Sequence, residues 1–282
     1  MNTELSNRCD LLVTNRGVIK EAFKWNDSSM LLAAGSLFTG LNQRVSVERL
    51  KECEKILKDK TGLLSTYRGN VKMPVLCKMT LADDPEAYLE KLMETEKKMK
   101  HLKWIDHEYK VMAALTLCDH AKKENIPAYI DQMAALYQGM KENHPYLTSG
   151  EDLPFAAMLA VSGMDYNALI TEMEKCYKYL GMRFHDKNAC QSLSHVLSLD
   201  PADHVSKCEH IFKIYDILKA GGHKYGKGYE LSVLGTMSTL NVPAELAAEE
   251  IMTRANAALC GGNEGELFIT AWLGILDLNT GH

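Results

Sequence analysis

A histidine and several acids are the residues of this sequence whose types and positions suit acid–base chemistry. His195 lies in the apolar segment CQSLSHVLSL, beside Gln191 and Ser194. Four other apolar segments begin with an acid, at Glu108, Asp152, Glu230 and Glu266. A histidine and a carboxyl group that meet in one pocket act as general acid and base. The same acids also suit the first turn of a helix, where carboxylates bond free N–H groups. The sequence therefore predicts either a catalytic cluster or a set of helix caps.

The segments that carry these residues recur at intervals of about 40 residues. Seven apolar stretches begin near Ser29, Met73, Glu108, Asp152, Cys190, Glu230 and Glu266. Each fits a buried strand or a buried helix, and their Ala, Met and Leu content favours the helix. Longer amphipathic segments such as VERLKECEKILKDK (47–60) lie between them. This alternation predicts an all-α fold of about seven tandem helical hairpins, as an open α-solenoid or a closed α/α toroid.

Composition and charge limit the class of protein. Hydrophobic residues make up 46% of the 282 residues and charged residues 24%, which is ordinary globular usage. We expect a single helical-repeat domain over residues 1–282. The net charge of −5, without a basic stripe, argues against a nucleic-acid partner. No apolar run is long enough to cross a membrane, and the first residues do not resemble a signal peptide. Eight scattered cysteines without a CxxC pair indicate reduced thiols and a cytoplasmic protein.

One position inside the apolar segments is small in five of the seven copies. The small residues are Ala34, Ala113, Ala157, Gly235 and Ala271. Lys78 and His195 occupy the other two copies, and such local departures are expected at functional or strained sites. The structural alternative is that the Lys78 ammonium reaches solvent along its stem and that His195 is a hydrogen-bonded core histidine. His195 is the strongest single candidate for a site residue.

An aromatic residue stands in the loop before six of the apolar segments. These aromatics are Trp25, Tyr67, Trp104, Tyr146, Phe184 and Tyr225. The repeat places all six loops on one rim, where they would contact a ligand together with polar neighbours. The polar candidates on the rim and in the apolar segments are Arg68, Lys78, His107, Asn188, Gln191 and Lys227. The structural alternative is a hydrophobic staple, in which the aromatic packs on the helix that follows it.

The sequence predicts no metal and no cofactor. His204, Cys208 and His210 lie close together on one amphipathic segment, but no second group at a recognisable spacing would complete a metal site. The glycine-rich GGHKYGKG joins two predicted helices, whereas a nucleotide loop joins a strand to a helix.

Four segments resemble the blocks of a known bacterial family. They read STYRGNVKMPVL (65–76), HPYLTSGEDLPFAAMLAVSG (144–163), NACQSLSHVLSL (188–199) and KYGKGYELSVLG (224–235). The chain resembles, over roughly residues 25–255, the uncharacterised family catalogued as domain of unknown function 4003. Its tail, ending LGILDLNTGH, looks shorter than that family's. The resemblance implies no activity, cofactor or catalytic residue.

Three hypotheses for the function follow. The first is a cytoplasmic binding or scaffold module that holds a peptide, a protein or a small ligand on the aromatic rim. The second is a toroid enzyme of hydrolase or lyase type, with His195 as acid or base and Asp152 or Glu230 as the second group. The third is a structural homo-oligomer whose apolar ends stack.

Overall fold

A computed structural model gives the structure of the protein. It describes residues 3–23, 28–223, 228, 231–232, 234–235, 243–249 and 252. The α-helices are α1 (Thr3–Ala22), α2 (Ser28–Gly40), α3 (Val47–Lys60), α4 (Lys72–Leu81), α5 (Pro85–Lys98), α6 (His107–His120), α7 (Ile126–Asn143), α8 (Leu153–Val161), α9 (Tyr166–Leu180), α10 (Lys187–Leu197) and α11 (His204–Ala220). Short 3-10 turns lie at Thr66–Arg68, Met99–His101, Lys123–Asn125 and Gly150–Asp152. No strand occurs in these ranges, so the predicted all-α class is confirmed.

Buried and amphipathic helices alternate as the sequence pattern predicted. The apolar segments near Ser29, Met73, Glu108, Asp152 and Cys190 correspond to the even-numbered helices α2 to α10. In α10, every residue from Ala189 to Leu197 is buried. By contrast, α3 buries only the stripe Leu50, Cys53 and Leu57. The sixth and seventh apolar segments, with Glu230, Glu266 and Ala271, lie outside the described residues. The number of hairpins and the closure of a ring therefore stay predictions.

The described residues fall into two compact units, one ending at Pro127 and one running from Ala128. In the first unit, the buried helix α2 packs on α4 and the amphipathic α3 packs on α5. In the second unit, α8 packs on α10 and α9 packs on α11. Each unit therefore has a buried and an outer layer of helices. The single domain over residues 1–282 stays a prediction.

Aspartates begin several of the helices and explain their boundaries. The carboxylate of Asp84 accepts hydrogen bonds from the N–H groups of Glu86 and Ala87, both at 3.0 Å, and Pro85 occupies the first turn of α5. Asp165, Asp186 and Asp203 do the same for α9, α10 and α11. Such caps satisfy N–H groups that have no partner within the helix.

Cations from the amphipathic helices bond the carbonyl oxygens at the ends of the buried helices. The Arg49 guanidinium donates from Nε to Thr80 O at 3.1 Å and from Nη2 to Ala82 O at 2.9 Å, at the end of α4. Lys91 donates to Cys118 O at 2.7 Å, at the end of α6. Lys207 donates to Asp200 O at 3.0 Å, just beyond α10. We call these contacts cation caps; they satisfy carbonyls that the helix leaves unbonded and suit its negative end.

The small position inside the buried helices lets neighbouring helices approach closely. Ala34, Ala113 and Ala157 are at most 1% exposed. A Cβ atom added at Gly235 would lie 2.6 Å from Cδ1 of Leu193 and 3.1 Å from Cγ1 of Val196. A larger residue there would overlap α10, which explains why this position is small.

Six cysteines of the described residues are free and enclosed in the core. Free, buried cysteines are found at Cys53, Cys77, Cys118, Cys176, Cys190 and Cys208. No helix within the described ranges combines the length and the apolar character that a membrane crossing requires.

Candidate functional site

His195 lies in the interior of the second unit, on the buried helix α10. Its side chain is 2% exposed, and its ring packs at a tilt on Phe155 of α8, with 5.5 Å between the ring centroids. The Nδ1 atom is buried without a hydrogen bond to any of the described residues. Its polar neighbour is Oδ1 of Asp152, at 3.6 Å. His195 is thus buried, and its Nδ1 lacks the hydrogen bond that an ordinary core histidine would make there.

Asp152 is held in place by the start of α8. It ends the 3-10 turn Gly150–Asp152 and forms a capping box with Ser149, whose N–H donates to Oδ2 of Asp152 at 2.8 Å. Asp152 is 5% exposed, so one carboxylate oxygen serves the cap while the other faces His195. Asp152 therefore serves as a helix cap, as one interpretation of the sequence expected, and also lies beside His195.

Burial shifts both members of this pair toward their neutral forms. It raises the pKa of Asp152 to about 6, against the lowering effect of the Ser149 N–H. It also lowers the pKa of His195 to about 3, with a further contribution from nearby His144. At neutral pH, Asp152 is therefore ionised and His195 is neutral. A proton on Nδ1 would face the carboxylate and leave Nε2 as an acceptor.

A second histidine and acid pair lies close to the first. His144, at the end of α7, bonds through Nε2 to Oε1 of Glu174 at 2.7 Å, and its ring packs on Tyr177 with 4.2 Å between centroids. His144, Glu174, Ser194 and His195 line one cavity together with Met140, Asn143, Ile170 and Met173. The volume open to a water molecule is about 10 Å³. The cavity has room for about one water and none for a substrate.

Gln191 connects the same helix to the loop before α8. Its Nε2 donates to Oγ1 of Thr148 at 2.8 Å, and the Thr148 hydroxyl in turn donates to Met140 O at 3.0 Å. Gln191 is 1% exposed, and its Oε1 has no hydrogen-bond partner among the described residues. This chain of bonds fixes α10 against the segment that carries Asp152.

The two segments that meet here are among those that resembled a known family, 144–163 and 188–199. A family model described as "Protein of unknown function (DUF4003)" matches residues 17–261. The chain belongs to the DUF4003 family. A curated protein of similar sequence is the uncharacterised protein YeaA of Bacillus subtilis (strain 168), 24% identical over 205 residues. That match covers 69% of this chain and 62% of YeaA. No solved structure matches.

The aromatic residues of the DUF4003 chain that were predicted to form a rim divide into two classes. Tyr67 is 7% exposed and Phe184 is 5% exposed. Phe184 packs edge-on against Phe212 and Tyr215, with centroids 5.4 and 5.1 Å apart. Both side chains are buried, and Phe184 packs on α11, whereas a staple would pack on α10, the helix that directly follows it.

Trp104 and Tyr146 form the other class. Trp104, in the first unit, is 68% exposed, and Tyr146, in the second, is 99% exposed. Trp25 and Tyr225 lie outside the described residues. Of the aromatic candidates that are described, only these two have rings free to meet a partner.

The polar candidates of the first unit are mostly engaged by the protein itself. The guanidinium of Arg68 donates from Nε to Thr61 Oγ1 at 3.0 Å and from Nη2 to the carbonyl oxygens of Lys58 and Thr61, at the end of α3. Lys78 pairs with Asp119 at 2.8 Å, and its side chain is 19% exposed. Its ammonium thus reaches the edge of the core, as the structural alternative expects.

The remaining candidates are spread over both units or lie outside the described residues. His107 is 67% exposed beside Glu96, with 3.1 Å from Nδ1 to Oε1. Asn188 is exposed at the start of α10. Glu108 belongs to the first unit and accepts a hydrogen bond from Asn70 at 3.2 Å, whereas Asp152 and His195 belong to the second. Glu230 and Lys227 lie outside the described residues.

No group of three or more metal-ligating side chains comes together in the described ranges. Cys208 is fully buried in the core, and the His204 ring lies edge-on to Tyr179, with 6.2 Å between centroids.

His144 and Glu174 were not among the residues predicted from the sequence, although they line the same cavity as His195. They are 30 residues apart, which is the separation of several contacts between successive amphipathic helices, such as Tyr179 with Glu209. A search for polar pairs at that separation would have found them.

Proposed function

We propose that the protein is a cytoplasmic helical-repeat binding module that holds a peptide or protein segment at Trp104. The surface consists of the exposed side chains of residues 97–107, which we call the Trp104 surface. The observation that carries the proposal is the exposure of Trp104, at 68%. Tryptophan buries a large area when it binds, and it is enriched among the residues that dominate interface energies.

The backbone beneath Trp104 is fixed, so its exposure is not the result of a loose loop. Met99, Leu102 and Ile105 are at most 3% exposed and anchor the segment in the core. Leu102 N donates to Met99 O at 3.0 Å, and Ile105 N donates to Leu102 O at 3.2 Å. A surface held in this way loses little conformational entropy when a partner binds.

The enclosed, free thiols support a cytoplasmic location. Six cysteines are free and buried, which suits a compartment that keeps thiols reduced. The cavity at His195 has room for about one water, so a small ligand would not be held at that place in the interior.

Partner capture with matched variants tests the proposal. The unchanged protein, Trp104→Ala and Tyr146→Ala are immobilised at equal density, and proteins captured from a bacterial lysate are identified and then purified. We expect at least one partner that binds the unchanged protein and Tyr146→Ala but binds Trp104→Ala at least about tenfold more weakly by calorimetry. Equal binding of every purified partner to all three proteins would contradict the proposal.

An enzyme with hydrolase- or lyase-type acid–base chemistry is the second candidate. The observation that favours it is the pairing of buried Asp152 with His195 beside a cavity, since acid–base sites often combine burial with shifted pKa values. The size of the cavity stands against it, because no substrate fits without movement of α7 or α9.

A panel of chromogenic esters, glycosides and peptides tests this second candidate. Turnover that is lost in His195→Gln and kept in Trp104→Ala would establish it. No turnover by the unchanged protein, or equal turnover by His195→Gln, would remove it.

A further inference from the structure

Four exposed lysines lie within seven residues of Trp104 in the sequence. Lys97, Lys98, Lys100 and Lys103 are all exposed. In the part of the chain that the structure describes, none of them lies within ion-pair distance of a carboxylate. The seven residues 97–103 therefore carry four positive charges, in a protein whose net charge is −5.

Two other exposed lysines of the first unit form ion pairs. Lys60 contacts both Glu86 and Glu90, and Lys123 contacts Glu94 at 2.9 Å. The negative end of α5 accounts for Lys97 and Lys98, which lie in its last turn. It does not account for Lys100 and Lys103, which follow the helix.

The lysines and the tryptophan are held close together. The ring of His101 bonds back to Lys98 O at 3.2 Å, and Lys103 N donates to His101 O at 2.9 Å. From Lys100 to Trp104 the backbone spans at most about 14 Å, the length of four extended residues. A short segment of a partner can therefore contact the charges and the indole ring together.

We propose that the partner of the Trp104 surface is an acidic peptide segment with one large apolar side chain. Its carboxylates would meet Lys97, Lys98, Lys100 and Lys103, while its apolar side chain would pack on Trp104. The positive charges would speed association and select acidic partners, and the indole would supply buried area. This inference rests on the proposed binding function and names the chemistry of its partner.

The surroundings of the surface favour a peptide over a nucleic acid. Nucleic-acid binders commonly neutralise about six to ten phosphates along a continuous basic track. Here the lysines stop after one short stretch, and Glu94, whose side chain is 54% exposed, and exposed Asp106 lie at its two ends. The surface therefore offers one short stretch of positive charge, which suits a short acidic peptide better than a long phosphate backbone.

Fluorescence anisotropy with defined peptides tests the inference. The probe is a labelled peptide of about eight glutamates with one central phenylalanine, compared with versions that carry alanine for phenylalanine or lysine for glutamate. We expect the acidic aromatic peptide to bind, the alanine version to bind about three- to tenfold more weakly, and the lysine version not to bind. Raising the salt from about 50 to about 200 mM should weaken binding severalfold.

Two charge-reversed proteins of equal net charge locate the site. Lys98→Glu, Lys100→Glu and Lys103→Glu together should weaken peptide binding at least about tenfold. The matched control combines Lys51→Glu, Lys55→Glu and Lys178→Glu, three exposed lysines elsewhere, and should stay within about twofold of the unchanged protein. Equal loss in both triple variants would overturn the proposal, since net charge alone would then explain the binding.

Other ligands give outcomes that also overturn it. Tighter binding of a single-stranded oligonucleotide than of the acidic peptide, lost in Lys98→Glu, Lys100→Glu, Lys103→Glu, would assign the surface to nucleic acid. Binding to vesicles of anionic lipid but not to the peptide would assign it to a membrane surface. A dimer by light scattering that Trp104→Ala dissociates would assign it to a second copy of the chain.

The inference and the proposed function fail in different ways. If a captured partner depends on Trp104 but binds the charge-reversed protein normally, the binding function stands and the acidic partner is wrong. If no captured partner depends on Trp104, the binding function itself is wrong.

Discussion

Nδ1 of His195 lies 3.6 Å from Oδ1 of Asp152, and both side chains are almost fully buried. Because burial raises the pKa of Asp152 to about 6 and lowers the pKa of His195 to about 3, the two groups have opposite effects on stability in acid. The unfolded chain protonates His195 near its ordinary pKa and the folded chain does not, so His195 destabilises the fold as the pH falls below about 6.5. Folded Asp152 takes up a proton before unfolded Asp152 does, so stability is gained as the pH falls through about 6.

Removing the acid of this pair should expose the effect of the histidine. In Asp152→Asn, an oxygen remains to accept from Ser149 N–H, but the proton uptake that offsets His195 is lost. We expect the free energy of unfolding to fall about 1 kcal/mol more between pH 6.5 and pH 5 than in the unchanged protein, as measured by urea denaturation. Asp131→Asn, at an exposed position on α7, is the control and should follow the unchanged protein. A parallel pH dependence in Asp152→Asn would show that the pKa of Asp152 is not raised as stated.

Lys207 should be needed for stability, although lysine is a surface residue in most proteins. Its side chain is 0% exposed, and its ammonium pairs with Glu172 at 2.7 Å and caps Asp200 O at 3.0 Å. Lys207→Ala removes both contacts and leaves a partly buried carboxylate, so we expect a loss of about 2–4 kcal/mol by denaturant titration. Lys213→Ala, on the same helix but in an exposed pair with Glu245, should leave stability unchanged. Similar losses in the two variants would show that burial of the Lys207 pair is not what matters.

Gly139 should be needed where α7 meets α9. A Cβ atom there would lie 2.5 Å from the Tyr166 hydroxyl and 2.8 Å from Cδ1 of Ile170. Gly139→Ala should destabilise the protein by about 1 kcal/mol, because overpacking outweighs the helix propensity of alanine. Gly17→Ala, in α1 with no atom within 4 Å of its added Cβ, should stabilise it by a few tenths to about 1 kcal/mol. Thermal melts of the two variants should therefore shift in opposite directions.

Arg68 should stabilise the fold and contribute little to the binding of the acidic peptide. Its guanidinium is occupied by Thr61 and the last carbonyls of α3. Arg68→Ala is expected to lower the free energy of unfolding by about 1–3 kcal/mol, while the affinity of the folded protein for the acidic peptide stays within about twofold. Calorimetry of unfolding and of peptide binding measures the two quantities separately. If Arg68→Ala had normal stability but lost peptide binding, Arg68 would be assigned to the ligand-binding surface, as the sequence predicted.

The sequence was most informative where periodicity alone decides the structure. The amphipathic segment 47–60 forms α3 with the predicted bounds, Val47–Lys60, since its apolar residues fall on one stripe. The column of small residues also singled out His195, and its pairing with Asp152 follows from the contact of α8 with α10. The catalytic role of that pair stays a prediction.

Hydrophobic periodicity could not predict which loop residues are exposed. Tyr67 and Trp104 stand in equivalent positions before buried helices, yet Tyr67 is 7% exposed and Trp104 is 68% exposed. Tyr67 belongs to a 3-10 turn that rotates its ring into the core, while Trp104 lies between the buried anchors Leu102 and Ile105. That difference depends on loop geometry, which hydrophobic periodicity does not encode.

The cation caps of Arg49, Lys91 and Lys207 should make the donor residue of each cap less tolerant of substitution than the acceptor residue. In every case the acceptor is a main-chain oxygen, which every amino acid supplies, and the donor is one particular side chain. A substitution of the residue that supplies the acceptor oxygen therefore keeps the hydrogen bond, whereas a substitution of the cationic donor removes it. In a library that covers all single substitutions, Ala82 should therefore accept a wider range of residues than Arg49, whose guanidinium bonds its carbonyl oxygen.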